Sequence, residues 1–262
     1  MQFFIDEILE YGELKEKLLS DPKLCEKGRA EAERIIAAGG FVEIEPGLTQ
    51  VAAAAFLADH TLALHRKMGI PHEITVATLK DVNNWIENYR SVHGELGLEN
   101  IGWLINHGLG NLFRLGRLQF VHAKAHPVVP GGEYVIEVHI PQGEPLDIAA
   151  CHASFEMAKG FFARLYPDKP AEYFVCGSWL LSPDLPCIAD ENSNICRFMR
   201  LWTQLPHNGD KGRQALERVF GFNFDPADIA SAPENTSLQR RLKAHVLAGG
   251  MVESSFGCIK ID

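Results

Sequence analysis

The alternation of apolar and polar residues is clearest between positions 134 and 140. Apolar side chains stand there at every second position, which predicts a β-strand with one buried face. The other face carries Glu137 and His139, a carboxylate and an imidazole two residues apart. The loop at 141–145, which contains two prolines and a glycine, ends this strand.

A helix and a second strand follow this loop. Asp147 is placed to cap a helix whose apolar residues recur at helical spacing as far as Leu165. Residues 173–181 are almost continuously apolar, which is typical of a central strand buried on both faces. A strand, a helix and a buried strand in this order predict a parallel βαβ unit.

The first 110 residues show mainly helical periodicity. The predicted helices are 2–19, 23–38, 48–68 and 75–93, and the segment 41–45 is either a strand or a connector. The histidines of this half form no HExxH or comparable metal-binding pattern, so we assign no chemistry to it.

The periodicity changes near residue 110. Residues 112–121 predict a strand that pairs antiparallel with the strand at 134–140. Arg114 and Arg117 have an odd separation and should point to opposite faces, which favours separate surface or ion-pair roles over a joint anion clamp. After residue 181 the pattern predicts a loop at 182–194, a strand at 195–201, a helix at 211–220, a helix capped by Thr236 or Ser237, and a strand at 252–261.

These patterns predict an α/β (α+β) fold with a helical domain at 1–108 and a mixed-sheet domain at 109–262. The net charge of −9 argues against nucleic-acid binding, and no apolar run approaches the roughly 20 residues of a membrane span. We expect a cytoplasmic protein. The six cysteines are dispersed through apolar segments without a CxxC pair, which favours reduced core thiols over disulfides or a metal site. The oligomeric state stays open.

Six stretches are specific enough to compare with known families: 103–107, 113–120, 137–141, 178–181, 192–195 and 236–240. Together with the order of elements from residue 103 onward, they resemble a bacterial family of acyltransferase-domain proteins. That family joins a helical N-terminal domain to a GNAT-like C-terminal domain, the N-acetyltransferase fold. The resemblance covers nearly the whole chain.

The resemblance implies that acetyl-CoA or another acyl-CoA binds where the central strand meets the helix. There, backbone N–H groups and the helix N-terminus hold the pyrophosphate. The matching positions are Ile140, Gln142, Gly143 and Asp147. The loop departs from the usual glycine-rich signature, since Pro145 lacks a donor and Glu144 and Asp147 bring negative charge. Neighbouring arginines or a cation would have to compensate these carboxylates.

An N-acyltransferase needs a base for the acceptor amine and a proton donor for the departing thiolate. Glu137 and His139 are the candidate bases, directly or through water. The alternative is a structural role, in which neighbouring polar groups beneath the helix satisfy the hydrogen bonds of Glu137 and His139. The chain has no tyrosine after Tyr173, so the acid role implied by the resemblance would pass to Ser178, Cys196 or water.

Two other functions fit the residues less closely. In a thiol enzyme, Cys176 or Cys151 would be the nucleophile, with His139 and Glu137 as base and orienting group. A non-catalytic GNAT-like protein would bind a small molecule or a partner. The expected function is acyl-CoA-dependent N-acylation of a small-molecule substrate of unknown identity, without a metal.

Overall fold

The structure, a computed structural model, describes residues 1–206 and 209–262. The chain forms two compact units. The first consists of Met1–Leu115 with Pro141–Gly143, and the second of Gly116–Ile140 with Glu144–Asp262. The chain therefore leaves the second unit at Pro141 and returns to it at Glu144.

The first unit is mainly helical, as predicted. It begins with a π-helical turn at Phe4–Ile8 and continues with α1 (Gly12–Ser20), α2 (Pro22–Ala38), α3 (Leu48–Lys67), α4 (His72–Leu79), α5 (Asp81–His93), α6 (Ile101–Gly108) and strand β1 (Leu112–Leu115). The prediction of one helix at 75–93 is wrong, because the chain turns at Lys80 between α4 and α5. The prediction of one helix at 2–19 is also wrong, and 41–45 has no regular structure.

Helix α3 lies at the centre of this unit and is buried over most of its circumference. Its alanines Ala52, Ala53 and Ala55 are fully buried and let neighbouring backbones approach closely. A Cβ atom at Gly28 of α2 would lie 2.4 Å from the Cβ of Ala52, so this crossing needs a glycine. Small residues therefore decide how closely α2 and α3 pack.

A polar network is buried in the same unit around Asp81, the first residue of α5. Its carboxylate accepts hydrogen bonds from the indole N–H groups of Trp85, at 3.0 Å, and Trp103, at 3.2 Å. Asn84 Nδ2 lies 3.2 Å away, and His107 Nε2 lies 3.3 Å away on α6. Burial opposes ionisation of Asp81, but the bonds from His107, Asn84 and Trp85 outweigh it and lower its pKa. This network fixes α5 to α6.

The second unit contains a mixed sheet whose strands lie in the order β2-β3-β4-β6-β5. The strands are β2 (Leu118–Lys124), β3 (Tyr134–His139), β4 (Ala171–Ser178), β5 (Thr203–Leu205) and β6 (Ser255–Lys260). The helices are α7 (Ile148–Leu165), α8 (Leu185–Ile188), α9 (Asn194–Met199), α10 (Arg213–Phe220) and α11 (Ser237–Leu247). Strands β3 and β4 are parallel and the other pairs are antiparallel, which confirms the predicted βαβ unit and the β2–β3 pair.

Helix α7 covers one face of this sheet. The ring of Phe155 lies 6.3 Å from that of Phe120 on β2 and 5.0 Å from that of Phe174 on β4. The opposite face carries a smaller apolar cluster that includes Val135 and Val175. The two faces of the sheet therefore have different neighbours. Because successive side chains of a strand point to opposite faces, every second residue faces α7 and the residues between them face the smaller cluster.

Two predicted strands in this half are wrong. Residues 195–199 lie in helix α9 and 200–201 in the turn after it, because Ser193 caps the first turn of α9 by accepting a hydrogen bond from the backbone N–H of Cys196. Residues 112–121 are interrupted by a turn at Gly116 and Arg117, where Gly116 has a φ of 68°. The predicted capping of the last helix is confirmed by a capping box between Thr236 and Gln239.

The cysteines are mostly buried, as the sequence predicted. Four of them, Cys151, Cys176, Cys196 and Cys258, lie in the interior, Cys25 is partly buried, and Cys187 is exposed. Among the residues that the structure describes, no helix is long and apolar enough to cross a membrane. Within the same residues, no group of three or more His, Cys, Asp or Glu side chains is arranged to hold a metal ion.

Candidate functional site

The site begins where strands β3 and β4 part. Their parallel pairing runs from Tyr134↔Ala171 to Glu137↔Val175. Beyond it, the end of β3 stays paired with β2 and the end of β4 stays paired with β6. Successive residues of a strand direct their N–H and C=O groups to opposite sides, so each strand end presents backbone polar groups to the opening. An extended ligand could bind there by hydrogen bonds.

Glu137 and His139 share one face beside this opening, as predicted. Phe120 and Phe174 face α7 and are the register partners of Val138 and Ile136. By strand alternation, Glu137 and His139 therefore lie on the face away from α7. The alternative interpretation, which placed this pair beneath the helix, is wrong in that respect.

The two side chains form a close pair. His139 Nε2 lies 3.8 Å from Glu137 Oε2, and the side chains are 30% and 44% exposed, respectively. Val121 and Val175 are the register neighbours of Glu137 on the two adjacent strands. Burial raises the pKa of Glu137 above its ordinary value of 4.5. A carboxylate with a raised pKa is a stronger base than an ordinary surface glutamate.

Ser178, the third predicted catalytic residue, lies elsewhere. It is three residues beyond Val175 on β4, so its side chain points to the face opposite Glu137. It is buried, and its Oγ accepts a hydrogen bond from the backbone N–H of Leu180 at 3.2 Å. The arrangement gives Ser178 a capping role for the short 3₁₀ turn Trp179–Leu181.

The thiol-enzyme alternative is disfavoured by the positions of its cysteines. Cys176 is the neighbour of Val175 in sequence, so it points away from Glu137 and His139. Burial raises the pKa of the Cys176 thiol to about 12 and that of Cys151 to about 11. A buried thiol with a raised pKa has almost no thiolate at neutral pH and is a poor nucleophile.

Of the predicted pyrophosphate-binding residues, Asp147 is the N-cap that precedes α7. Its side chain accepts a hydrogen bond from the backbone N–H of Ala150 at 2.8 Å, which confirms the predicted N-cap. The first N–H groups of a helix have no intrahelical acceptor, so the start of α7 is suited to an anion. Ile140 directly follows β3 in the same unit.

The other two predicted pyrophosphate-binding residues, Gln142 and Gly143, belong to the first unit. The side-chain amide of Gln142 exchanges two hydrogen bonds with that of Asn88 on α5, at 3.3 and 3.4 Å. Gly143 has a φ of 107°, a conformation that favours glycine. Both residues are therefore held in a defined loop conformation.

Arg117 is a residue whose role the sequence did not reveal. Its side chain is buried, although a surface or ion-pair role was expected. The guanidinium donates to the backbone carbonyls of Pro145, at 2.9 Å, and Glu144, at 2.6 Å. Its backbone N–H donates to Ser154 Oγ on α7 at 2.8 Å. Arg117 thus joins the loop before α7 to the helix and brings positive charge to an acidic loop.

Replacing Arg117 by methionine should loosen this loop. Two hydrogen bonds from a charged group are lost, each contributing about 1.5–3 kcal/mol, so urea denaturation should show a clear loss of stability. We expect affinity for CoA compounds, measured by calorimetry, to fall about tenfold or more. Arg164→Met on the exposed last turn of α7 is the control. Unchanged affinity in Arg117→Met would rule out this role.

Comparison with known proteins gives matches along the whole chain. The model of the N-acyltransferase N-terminal domain matches residues 5–109, and that of the GNAT-like C-terminal domain matches residues 112–259. No curated protein sequence matches the chain.

Solved structures of acyltransferases are also similar. One, in complex with decanoyl-CoA and teicoplanin, has 26% sequence identity and a TM-score of 0.82, over 100% of this chain and 87% of that one. A mutant acyltransferase with octanoyl-CoA has 25% identity and a TM-score of 0.82, with the same coverage. A third, in complex with CoA and 10C-teicoplanin, has 25% identity and a TM-score of 0.81, again with the same coverage.

Proposed function

We propose, from the premise that the chain belongs to the family with an N-acyltransferase N-terminal domain and a GNAT-like C-terminal domain, that it transfers an acyl group from acyl-CoA to an amine. The observation that carries the proposal is the opening between β3 and β4, with Glu137 and His139 together on one face beside it. The acceptor is a small molecule. The solved relatives bound to octanoyl-CoA and decanoyl-CoA support donors of about that length.

Donor binding uses the loop and the two strand ends. The start of α7 and the loop held by Arg117 take the pyrophosphate, and Ile140, Gln142, Gly143 and Asp147 are the proposed contact residues. The backbone groups of β3 and β4 beside the opening hold the extended arm of the donor. An N–H group there polarises the thioester carbonyl, because it donates to the oxygen on which negative charge develops.

The transfer then needs one proton removed and one supplied. Glu137 takes a proton from the acceptor amine, directly or through His139 or water, and the amine nitrogen forms a bond to the thioester carbon. The C–S bond breaks, and the departing thiolate takes a proton from water. Ser178 has no part in this scheme, because it lies on the opposite face and caps a turn. We further propose a cytoplasmic location, which the buried thiols support.

A thermal-shift titration with acetyl-, octanoyl- and decanoyl-CoA and with free CoA tests donor binding. A ligand at 100 times its Kd should stabilise the protein by about 2.7 kcal/mol. For a chain of this size that corresponds to a rise in Tm of roughly 5–10 °C. No shift with any of these compounds at about 1 mM would place Kd above that range and contradict the proposal.

Turnover separates an enzyme from a binding protein of the same fold. Release of free CoA thiol can be followed with a disulfide reagent while a panel of amines is added to the enzyme and a bound donor. Amine-dependent thiol release supports the proposed function. A saturable thermal shift without thiol release for any amine in the panel would favour the non-catalytic binding protein.

A further inference from the structure

Gly177 lies across the opening from the candidate base pair. Glu137 and Val175 are register partners, and two residues further along each strand stand His139 and Gly177. Because side chains alternate between faces, position 177 faces the same side as Glu137 and His139. Gly177 is exposed, whereas its neighbours Cys176 and Ser178 are buried. The β4 side of the opening therefore carries no side chain at this point.

Neither the backbone nor the packing of the described residues requires a glycine there. The φ of Gly177 lies outside the left-handed region. Among those residues, a Cβ at position 177 would meet only Phe256 Cδ2 within 4 Å, at an ordinary 3.5 Å. Gly257 on β6 differs, because a Cβ there would lie 3.0 Å from the Cβ of Trp202. A glycine inside a strand weakens it, and one not required by the fold often marks close approach of a ligand.

On the side away from Glu137 and His139, toward β6, the neighbours of Gly177 on this face are apolar. Val175 precedes it by two residues, and Phe256 is its register partner on β6. Cys258, the partner of Val175, belongs to the same apolar cluster, together with Val129 and Val135. Hydrocarbon that packs against the accessible part of this cluster is stabilised by about 25 cal/mol for each Å² of apolar area removed from water.

We propose that Gly177 is the specificity-determining residue for the acyl group, and that its missing side chain leaves room for a hydrocarbon chain of several carbons against the partly buried Phe256. This inference rests on the proposed function. The reacting carbonyl lies beside His139, and the chain runs from there across β4 toward β6. An acetyl group is short enough to fit without this space.

The test is a graded series, Gly177→Ala and Gly177→Val, titrated by calorimetry with acetyl-CoA, octanoyl-CoA and decanoyl-CoA. We expect acetyl-CoA affinity to stay within about threefold of the wild type. The affinity for octanoyl-CoA and decanoyl-CoA should fall about tenfold or more in Gly177→Val and less in Gly177→Ala. Gly160→Val on α7 is the matched control, because a Cβ there meets no described atom within 4 Å apart from its chain neighbours and the backbone of its own helix.

The outcomes separate this inference from the proposed function. If the wild type binds none of the three thioesters, the proposed function fails and the inference fails with it. If the wild type binds them and Gly177→Val changes all three affinities equally, or none, the proposed function stands and the role of Gly177 is refuted. Denaturation midpoints of the variants identify a loss of affinity that comes from unfolding.

Discussion

Glu137→Gln is expected to lower kcat/KM for amine acylation by about 100- to 10 000-fold, the usual contribution of a general base. Glutamine keeps the size of the side chain but cannot take the proton. His139→Ala should lower kcat/KM as well, because His139 Nε2 lies 3.8 Å from the carboxylate. The measurement is initial-rate thiol release with saturating donor and varied amine.

The pH profile gives the Glu137→Gln experiment a specific signature. The base must be ionised, so wild-type kcat/KM should rise with pH through the pKa of Glu137, which burial raises above 4.5. In Glu137→Gln, kcat/KM should not show this rise with pH. Because the pKa of Glu137 is raised in the folded state, the protonated side chain contributes to the stability of the fold. This contribution to stability is lost as the pH rises through the folded-state pKa. Glu137→Gln should therefore not destabilise the protein at neutral pH.

Glu156→Gln and His152→Ala are the matched controls for this pair. Both residues are exposed on α7, which covers the face of the sheet opposite Glu137 and His139, and their replacement should leave the rate unchanged. Full activity in both Glu137→Gln and His139→Ala would show that another group accepts the proton. A destabilised Glu137→Gln at neutral pH would indicate a structural role for the carboxylate.

Asp81→Asn is expected to cause the largest loss of stability. The carboxylate is 4% exposed and accepts from two indoles, beside Asn84 and His107. Removing the charge of one member of a buried charged network typically costs about 3–5 kcal/mol, and asparagine keeps only one of the two acceptor oxygens, so buried N–H groups lose a partner. Urea denaturation at pH 7, followed by tryptophan fluorescence, measures the change in the free energy of unfolding.

The effect of Asp81→Asn should depend on pH in a defined direction. The pKa of Asp81 is lowered in the folded state. Its contribution to the free energy of unfolding is therefore fully present above the unfolded-state pKa of about 3.9 and is lost as the pH falls below that pKa. The difference between wild type and variant should shrink accordingly in acid. Asp6→Asn, at an exposed position, is the control and should change stability by less than about 0.5 kcal/mol. Equal stabilities of wild type and Asp81→Asn at pH 7 would contradict the assigned role.

The candidate site could be predicted from the sequence where local periodicity decides the answer. The period of two between 134 and 140 placed Glu137 and His139 on one strand face, and Asp147 was identified as the cap of α7. Ser178 was assigned to the reaction because the resemblance implies a proton donor after the second central strand and the chain has no tyrosine beyond Tyr173. The register of β3 with β4 separates it from the base pair. The domain boundary between residues 108 and 109 and the roles of the site residues remain predictions.

The sequence by itself determined the helical first half, the parallel βαβ unit and the shared face of Glu137 and His139, because these depend on the spacing of residues within one segment. Only the tertiary structure decided the burial of Arg117, the turn that replaced a continuous strand at Gly116, and the apolar neighbours of Gly177 on the β6 side. These depend on contacts between segments far apart in the chain. Local patterns carry no information about such contacts, because the energy that selects them is that of packing and of burying polar groups with partners.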